Sequence, residues 1–226
     1  MAEKKDSLKY FSIISTLFVA TIMISNTIAT KLFSLGPLTF TGGVLIFPIT
    51  YIFGDILTEV YGYSRSRKVI WTGFVALAFM ALIYWIVGLL PSAPTWPNQE
   101  AYVAILGQVP RIVLASMVGY WAGSFSNSFV LARMKLFTKG KHLWTRTIGS
   151  TIVGEGIDTA LFVLIAFYGI VSGKILILAI LSGYAFKVIY EIIATPITYK
   201  IVKFLKKEER IDAYDSNTKF NPFKLN

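Results

Sequence analysis

Ionisable side chains interrupt three long apolar stretches of this chain, and their spacing groups them in pairs. The pairs are three or four residues apart: Asp55 and Glu59, Glu155 and Asp158, and Lys187 and Glu191. On an α-helix, residues at these separations share one face. A charge at the centre of a membrane costs at least ~2.5–3.5 kcal/mol on insertion scales, so such residues are candidates for binding or ion transfer. We therefore predict that each stretch is a helix that turns a charged stripe towards its neighbours.

The candidate binding site also includes uncharged side chains and a second base. Four inward acids exceed the two bases, Lys187 and Arg111, so at least one carboxylate should be protonated or bound by a ligand. Asn127 follows Arg111 in the same stretch, and a flat heterocycle could stack on Tyr51 or Tyr184 near the charged stripes. Structural ion pairs and ordinary aromatic packing are the alternative interpretation.

Long apolar segments are expected to position these side chains. The chain has 226 residues, of which 55% are hydrophobic and 15% charged, and its mean hydropathy is +0.63. A helix needs about 20 mostly apolar residues to cross a bilayer. Six segments meet this requirement: Leu8–Thr30, Gly42–Tyr61, Val69–Leu90, Arg111–Leu136, Thr147–Tyr168 and Ile175–Lys203. We predict an all-α, polytopic domain of six transmembrane helices over residues 1–210, followed by a polar, disordered cytoplasmic tail over residues 211–226. Gly119 and Gly123 predict close packing of the fourth helix.

The distribution of basic residues predicts the orientation of these helices. Lysines and arginines concentrate on the cytoplasmic side of membrane proteins. Here they cluster before the first segment, in the second and fourth connections and after the last segment, which predicts cytoplasmic N- and C-termini. The third connection, Pro91–Tyr102, contains three prolines that exclude a regular helix. It is either a cap on the outer surface, with Trp96 at the interface, or a plain loop.

Composition excludes several classes of function. The chain has no cysteine and one histidine, His142, which excludes thiolate chemistry and makes a metal site improbable. We predict no cofactor. The net charge of +10 comes from short clusters between apolar runs, so the predicted partner is the lipid bilayer and not nucleic acid. The chain has no nucleotide-binding loop of the form G-x-x-x-x-G-K-[ST].

Four sequence runs resemble the queuosine precursor transporter family, also called the vitamin uptake transporter family. They occur in the expected order over nearly the full chain: FPITYIFGDILTEVYGY (Phe47–Tyr63), RIVLASMVGYWAGSFSN (Arg111–Asn127), RTIGSTIVGEGIDTALF (Arg146–Phe162) and YAFKVIYEIIATP (Tyr184–Pro196). The resemblance implies a multi-pass protein of the cell inner membrane. It also implies import of 7-deazaguanines that feed tRNA modification, namely 7-cyano-7-deazaguanine, 7-aminomethyl-7-deazaguanine or queuine.

The candidate residues suit the substrate that the resemblance implies. A 7-deazaguanine presents a ring N–H beside an exocyclic amine, and a carboxylate accepts two such donors in a fork. The four candidate acids of the second and fifth segments are possible readers of this edge. Lys187 could donate to the ring carbonyl or hold an acid in its charged form. Asn127 could pair with a carbonyl and an N–H together, although many family members carry an aspartate there.

Several functional alternatives stay open at this level. The leading prediction is a carrier and not an enzyme, driven by protons or by metabolic trapping of a small heterocyclic substrate. The chain could instead be a substrate-binding membrane subunit that needs a separate energising partner. An intramembrane aspartyl protease would need Asp55 and Asp158 to share one water, and their sequence surroundings do not resemble such enzymes. A purely structural protein conflicts with the density of buried charge, and a homodimer is left open.

Overall fold

Helices dominate the protein. The computed structural model describes residues 8–28, 31–35, 38–107, 110–169, 172–216, 218, 220, 221 and 223. Within this part of the chain, seven helices and one hairpin follow in order: α1 (Phe11–Ile28), β1 (Leu32–Leu35), β2 (Leu38–Thr41), α2 (Phe47–Tyr61), α3 (Tyr63–Leu89), α4 (Gln99–Leu106), α5 (Pro110–Phe137), α6 (Leu143–Phe167) and α7 (Gly173–Glu209).

In the part of the chain that the structure describes, four helices are long and apolar enough to cross a membrane. They contain the stretches Phe11–Ile28, Tyr63–Leu89, Leu143–Ala166 and Leu176–Glu209. Large apolar side chains on the outside of the bundle are exposed, including Phe79 at 63% and Ile193 at 72%. In water such surfaces would be unusual, but in a bilayer they contact lipid. The structure and hydropathy therefore agree on a helical membrane protein.

The second predicted segment differs from the observed helix. Gly42–Leu45 form a 3₁₀ turn, and α2 begins only at Phe47. Pro48 lies in the first turn of α2, where its missing N–H breaks no helical hydrogen bond. With 15 residues, α2 rises about 22 Å, which is less than the ~30 Å hydrocarbon core. The prediction of one continuous spanning helix from Gly42 to Tyr61 is therefore wrong.

Two connections also differ from their predictions. Strands β1 and β2 pair antiparallel, from Leu32 opposite Thr41 to Leu35 opposite Leu38. The Gly-Pro dipeptide between two apolar runs is a turn signal for this hairpin, and it was missed. The predicted non-helical connection ends early, because α4 begins at Gln99. The side chain of Gln99 donates to the carbonyl oxygen of Gly88 at 2.8 Å, which ties α4 to the end of α3.

Glycines allow α5 and α6 to pack closely. A Cβ atom on Gly154 would lie 2.6 Å from the Cβ of Asn127 and 2.9 Å from the carbonyl oxygen of Gly123. A Cβ atom on Gly119 would lie 2.8 Å from Oδ1 of Asp158. Close packing at Gly119 and Gly123 was predicted from sequence and is confirmed. The contact brings Asn127 and Asp158 to the same interface.

We expect Gly154→Ala to lower the thermal stability of the detergent-solubilised protein. The new methyl group must push α5 away from α6, and overpacking of this kind costs roughly 1–3 kcal/mol. Gly54→Ala is the matched control, because no heavy atom lies within 4 Å of the added Cβ. An equal melting temperature for the two variants would contradict the packing described here.

The apolar core lies between α1, α2, α3 and α5. Buried residues from each of these helices contribute to it: Phe18, Ile22, Ile56, Leu57, Ile70, Leu77, Tyr120 and Phe125. Helix α2 also contacts α7, and α6 packs between α5 and α7. Helix α7 has 37 residues and contains Pro196 in its interior, where the ring removes one backbone hydrogen bond. Helix α7 therefore brings its charged residues beside those of both α2 and α6.

The described residues of the tail contact the helices, and the disorder predicted for residues 211–226 stays a prediction. The N–H of Ala213 donates to the carbonyl oxygen of Val60 at 3.2 Å. The buried carboxylate of Asp215 accepts from the N–H of Tyr63 at 3.0 Å. Arg67 donates to the carbonyl oxygen of Asn221 at 2.6 Å. These contacts depend on residues distant in sequence, so the local composition of the tail does not reveal them.

Candidate functional site

Lys187 joins two acids of a neighbouring helix at the centre of the bundle. Its Nζ lies 2.7 Å from Oε2 of Glu155 and 2.5 Å from Oδ2 of Asp158. Both carboxylates are buried, and the same ammonium lies 4.7 Å from the ring centroid of Phe47. The sequence suggested a pair between Lys187 and Glu191 along α7. That pairing is wrong, because two carboxylates of α6 face the lysine across the helix interface.

A second polar group lies between α2 and α5. The amide nitrogen of Asn127 donates to Oδ1 of Asp55 at 2.5 Å, and both residues are buried. Oδ2 of Asp55 and Oδ1 of Asn127 have no hydrogen-bond partner among the described residues. The partner of Asp55 is therefore an amide, whereas Glu59, Glu155 and Asp158 each pair with a cation.

Glu191 connects the two groups electrostatically. Its side chain is buried, and its charge interacts with those of Asp55 and Glu155. In the described part of the chain, neither of its carboxylate oxygens accepts a hydrogen bond. We define the central cluster as Asp55, Asn127, Glu155, Asp158, Lys187 and Glu191. Helices α2, α5, α6 and α7 each contribute to it.

The remaining predicted site residues have different positions. Tyr51 is buried, and its hydroxyl lies close to α5 at Gly123. Its charge environment includes Glu155 and Asp158, so it borders the central cluster. The ring of Tyr184 packs on α6, 3.5 Å from where a Cβ of Gly156 would lie. Arg111 belongs to the first turn of α5, and its side chain falls outside the described part of the structure.

The space beside the central cluster is small in this conformation. A cavity of about 10 Å³ is lined by Phe18, Thr50, Tyr51, Gly54, Ile70, Ser124, Asn127 and Ser128. This volume corresponds to about one water molecule. This cavity is therefore too small to hold a heterocycle, and we call the arrangement described here the closed conformation.

Glu59 lies in a separate cluster at one end of the bundle. It forms an ion pair with Arg146, and Nζ of Lys206 lies 2.5 Å from its Oε1. Lys135 donates to its backbone carbonyl at 2.6 Å and also contacts Asp212 at 2.5 Å. We define the end cluster as Glu59, Lys135, Arg146, Lys206 and Asp212. Glu59 was predicted to line the binding site with Asp55; the structure pairs it with three bases, and its part in binding stays a prediction.

The bases of the end cluster were missed as site residues. Sequence reasoning assigned Lys135, Arg146 and Lys206 to cytoplasmic loops, because they lie near predicted segment ends. Each lies within an observed helix: Lys135 in α5, and Arg146 and Lys206 in parts of α6 and α7 that extend beyond the predicted segments. Arg146 and Lys135 are fully buried. Among the described residues, Glu59 and Asp212 supply the negative charges that pair with these three bases. Glu59 belongs to α2, which is far from all three bases in the sequence.

Asp212 links the tail to this cluster through charge. Burial alone would raise the pKa of its carboxyl group. Hydrogen bonds from Lys135 and Lys206, together with their positive charges, outweigh burial and hold the pKa below its ordinary value. The carboxylate is therefore ionised at neutral pH, and its attraction to the two lysines holds the tail at the end cluster.

A family comparison matches the part of the chain that carries the central cluster. The family model described as "Putative vitamin uptake transporter" matches residues 41–201. The chain belongs to this family of transporters. The match contains every member of the central cluster, whereas Lys206 and Asp212 of the end cluster lie beyond it. The family predicted from the four sequence runs is thereby confirmed.

Curated relatives extend this comparison. The chain is 29% identical to "Probable queuosine precursor transporter" of Bacillus subtilis (strain 168) over 187 residues, which cover 82% of each protein. It is 26% identical to "Queuosine precursor transporter" of Escherichia coli (strain K12) over 128 residues, which cover 57% of this chain and 55% of the relative. No solved structure matches the chain.

Proposed function

We propose that this protein imports 7-deazaguanine precursors of queuosine through the central cluster. The named relatives support the substrate class, and the buried polar groups support the site. One observation carries the proposal: carboxylates from α2, α6 and α7 meet within the bundle around one lysine and one amide. Buried charge without a structural need marks substrate pathways in membrane proteins.

The chemistry of these side chains complements the edge of a deazaguanine. Glu155 or Asp158 would accept the ring N–H and the exocyclic amine together, as a carboxylate accepts two parallel donors. Lys187, once released from one acid, would donate to the ring carbonyl. Phe47 and Tyr51 lie beside this cluster and would stack on the flat ring.

Transport would proceed by alternating access around this cluster. In the closed conformation the acids contact Lys187, and substrate would replace part of these contacts when the helices separate. We propose six spans in the inner membrane: the four most apolar helices, α5, and α2 together with the 3₁₀ turn Gly42–Leu45 that precedes it. Both termini would face the cytoplasm, and the lysines and arginines near the end cluster support this orientation.

Import can be tested in cells that cannot make queuosine precursors and lack their own importer. Labelled 7-cyano-7-deazaguanine, 7-aminomethyl-7-deazaguanine and queuine are supplied, and uptake and queuosine in tRNA are measured. We expect Glu155→Gln and Asp158→Asn to reduce uptake roughly 10- to 100-fold, because a hydrogen bond to a charged group contributes about 1.5–3 kcal/mol.

Glu208→Gln is the matched control, since Glu208 is an exposed acid of α7. Normal uptake by both Glu155→Gln and Asp158→Asn would show that the site lies elsewhere. Failure of the unmodified protein to import any of the three compounds would refute the function. Transport by the purified chain in liposomes would exclude the need for an energising partner.

A further inference from the structure

The central cluster contains more acid than base. Its carboxyl groups are those of Asp55, Glu155, Asp158 and Glu191, and its ammonium is that of Lys187. Among the described side chains, Arg146 is a further cation that interacts electrostatically with Asp55. Its guanidinium, however, is paired with Glu59 in the end cluster. Four buried carboxylates with one counter-charge would repel one another strongly in a medium of low dielectric constant.

The pairing pattern shows which two carboxyl groups lack a cation. Lys187 contacts Glu155 and Asp158 within 2.7 Å. Among the described residues, Asp55 and Glu191 form no salt bridge, and Asp55 receives only the amide hydrogen bond of Asn127. Their relative exposures are 0% and 1%. Burying an isolated ionised carboxylate is far more costly than burying the neutral acid, so a proton is the ligand that stabilises this arrangement.

We infer that Asp55 and Glu191 form a proton-binding site that couples import to the inward movement of one proton. The inference rests on the proposed function and adds its driving force. The charged groups that interact with the pair are Glu59 on α2 and Arg146 and Glu155 on α6. Lys187 on α7 and Asp158 on α6 lie beyond Glu155 and interact with it. Asn127 faces it from α5 as an uncharged partner.

The proton would follow the substrate through the conformational cycle. In the conformation open to the outside, a carboxylate oxygen of the pair takes a proton from water. The O–H bond is kept in the closed conformation, where an ionised pair would lack a counter-charge. In the conformation open to the cytoplasm, water hydrates the pair and accepts the proton. Binding and release balance, and no oxidant or other co-reactant is needed.

The position of the pair suits coupling to substrate. Glu191 interacts electrostatically with Glu155, which is paired with Lys187, the proposed donor to the ring carbonyl. Adding a proton to Glu191 removes a negative charge beside this acid. When Lys187 leaves Glu155 to contact substrate, the cluster then carries one negative charge fewer. Proton binding and substrate binding therefore favour each other, because both depend on the electrostatic interaction between Glu191 and Glu155.

The test uses the purified protein in liposomes, with the membrane potential held at zero. A gradient of one pH unit, with an alkaline lumen, is imposed and the steady-state accumulation of labelled 7-cyano-7-deazaguanine is measured. We expect the unmodified protein to approach tenfold accumulation, the ratio set by one proton per substrate. Glu191→Gln should bring this ratio to about one, whereas Glu191→Asp should retain accumulation. The steady-state ratio reports coupling and is independent of the transport rate.

A second measurement avoids dependence on any variant. A pH indicator inside the vesicles should report acidification when substrate is added outside to the unmodified protein. Coupling is refuted if substrate exchanges across the membrane without accumulation or acidification, or if a sodium gradient drives accumulation in place of protons. Accumulation by Glu191→Gln at the unmodified ratio would also refute the assignment to this pair. Absence of exchange by the unmodified protein would instead refute the proposed function, and this inference with it.

Discussion

Replacing Lys187 with methionine is expected to reduce import of queuosine precursors by at least two orders of magnitude. The substitution keeps most of the apolar stem and removes the ammonium that lies within 2.7 Å of both Glu155 and Asp158. Removing one partner from a buried ion pair costs about 3–5 kcal/mol, which corresponds to a factor of more than 100. Uptake of labelled precursor into cells, normalised to protein in the membrane, measures the effect.

The design of this experiment separates a lost site from a lost fold. Lys174→Met is the matched control, because Lys174 is exposed in the first turn of α7. The double variant Lys187→Met with Asp158→Asn removes one acid together with the base. It should recover thermal stability while import stays low. Normal import by Lys187→Met would show that this ammonium has no part in transport.

Arg146→Met is expected to cause the largest loss of stability among single substitutions in the end cluster. Arg146 is fully buried and pairs with Glu59, which is also buried. Two lysines remain near the acid, but the guanidinium also donates to the carbonyl oxygen of Gly140 at 3.1 Å. We expect a loss of roughly 3–5 kcal/mol, as for other broken buried pairs.

Thermal unfolding of the detergent-solubilised protein measures this loss. Lys141→Met is the control, because Lys141 is an exposed base in the connection just before α6. Adding Glu59→Gln to Arg146→Met should recover part of the stability, since the acid no longer needs a counter-charge. A melting temperature for Arg146→Met equal to that of Lys141→Met would contradict a stabilising role for the pair.

Helix positions were predictable from the sequence because hydropathy acts over many residues. Each of the six predicted segments overlaps an observed helix, although membrane crossing is supported directly for four. The ends of the helices were not predictable, because Arg146 and Lys206 resemble loop residues in the sequence. The structure shows that both pair with the buried acid Glu59. Helix α2 begins five residues after the predicted start, because Gly42–Leu45 form a separate turn. Hydropathy does not distinguish such a turn from the first turn of an α-helix.

The six residues of the central cluster could be named from the sequence, but the pairings among them could not. Spacing correctly places Glu155 and Asp158 on one face of α6, where both contact Lys187. It also places Asp55 and Glu59 on one face of α2, yet they join different clusters. One helical turn separates them, and that distance is enough to change which neighbouring helix supplies the partner. Which partner an acid meets depends on the depth in the bundle at which two helices contact each other. The residues around the acid in the sequence do not reveal that depth.

The proline within α7 lies between the two charge clusters. Lys187 and Glu191 precede Pro196, whereas Lys206 follows it. A proline inside a helix weakens the backbone at one point and permits bending there. Helix α7 can therefore bend at Pro196, which divides it into two segments. Such a bend would move Lys187 and Glu191 while Lys206 in the second segment stays paired with Glu59.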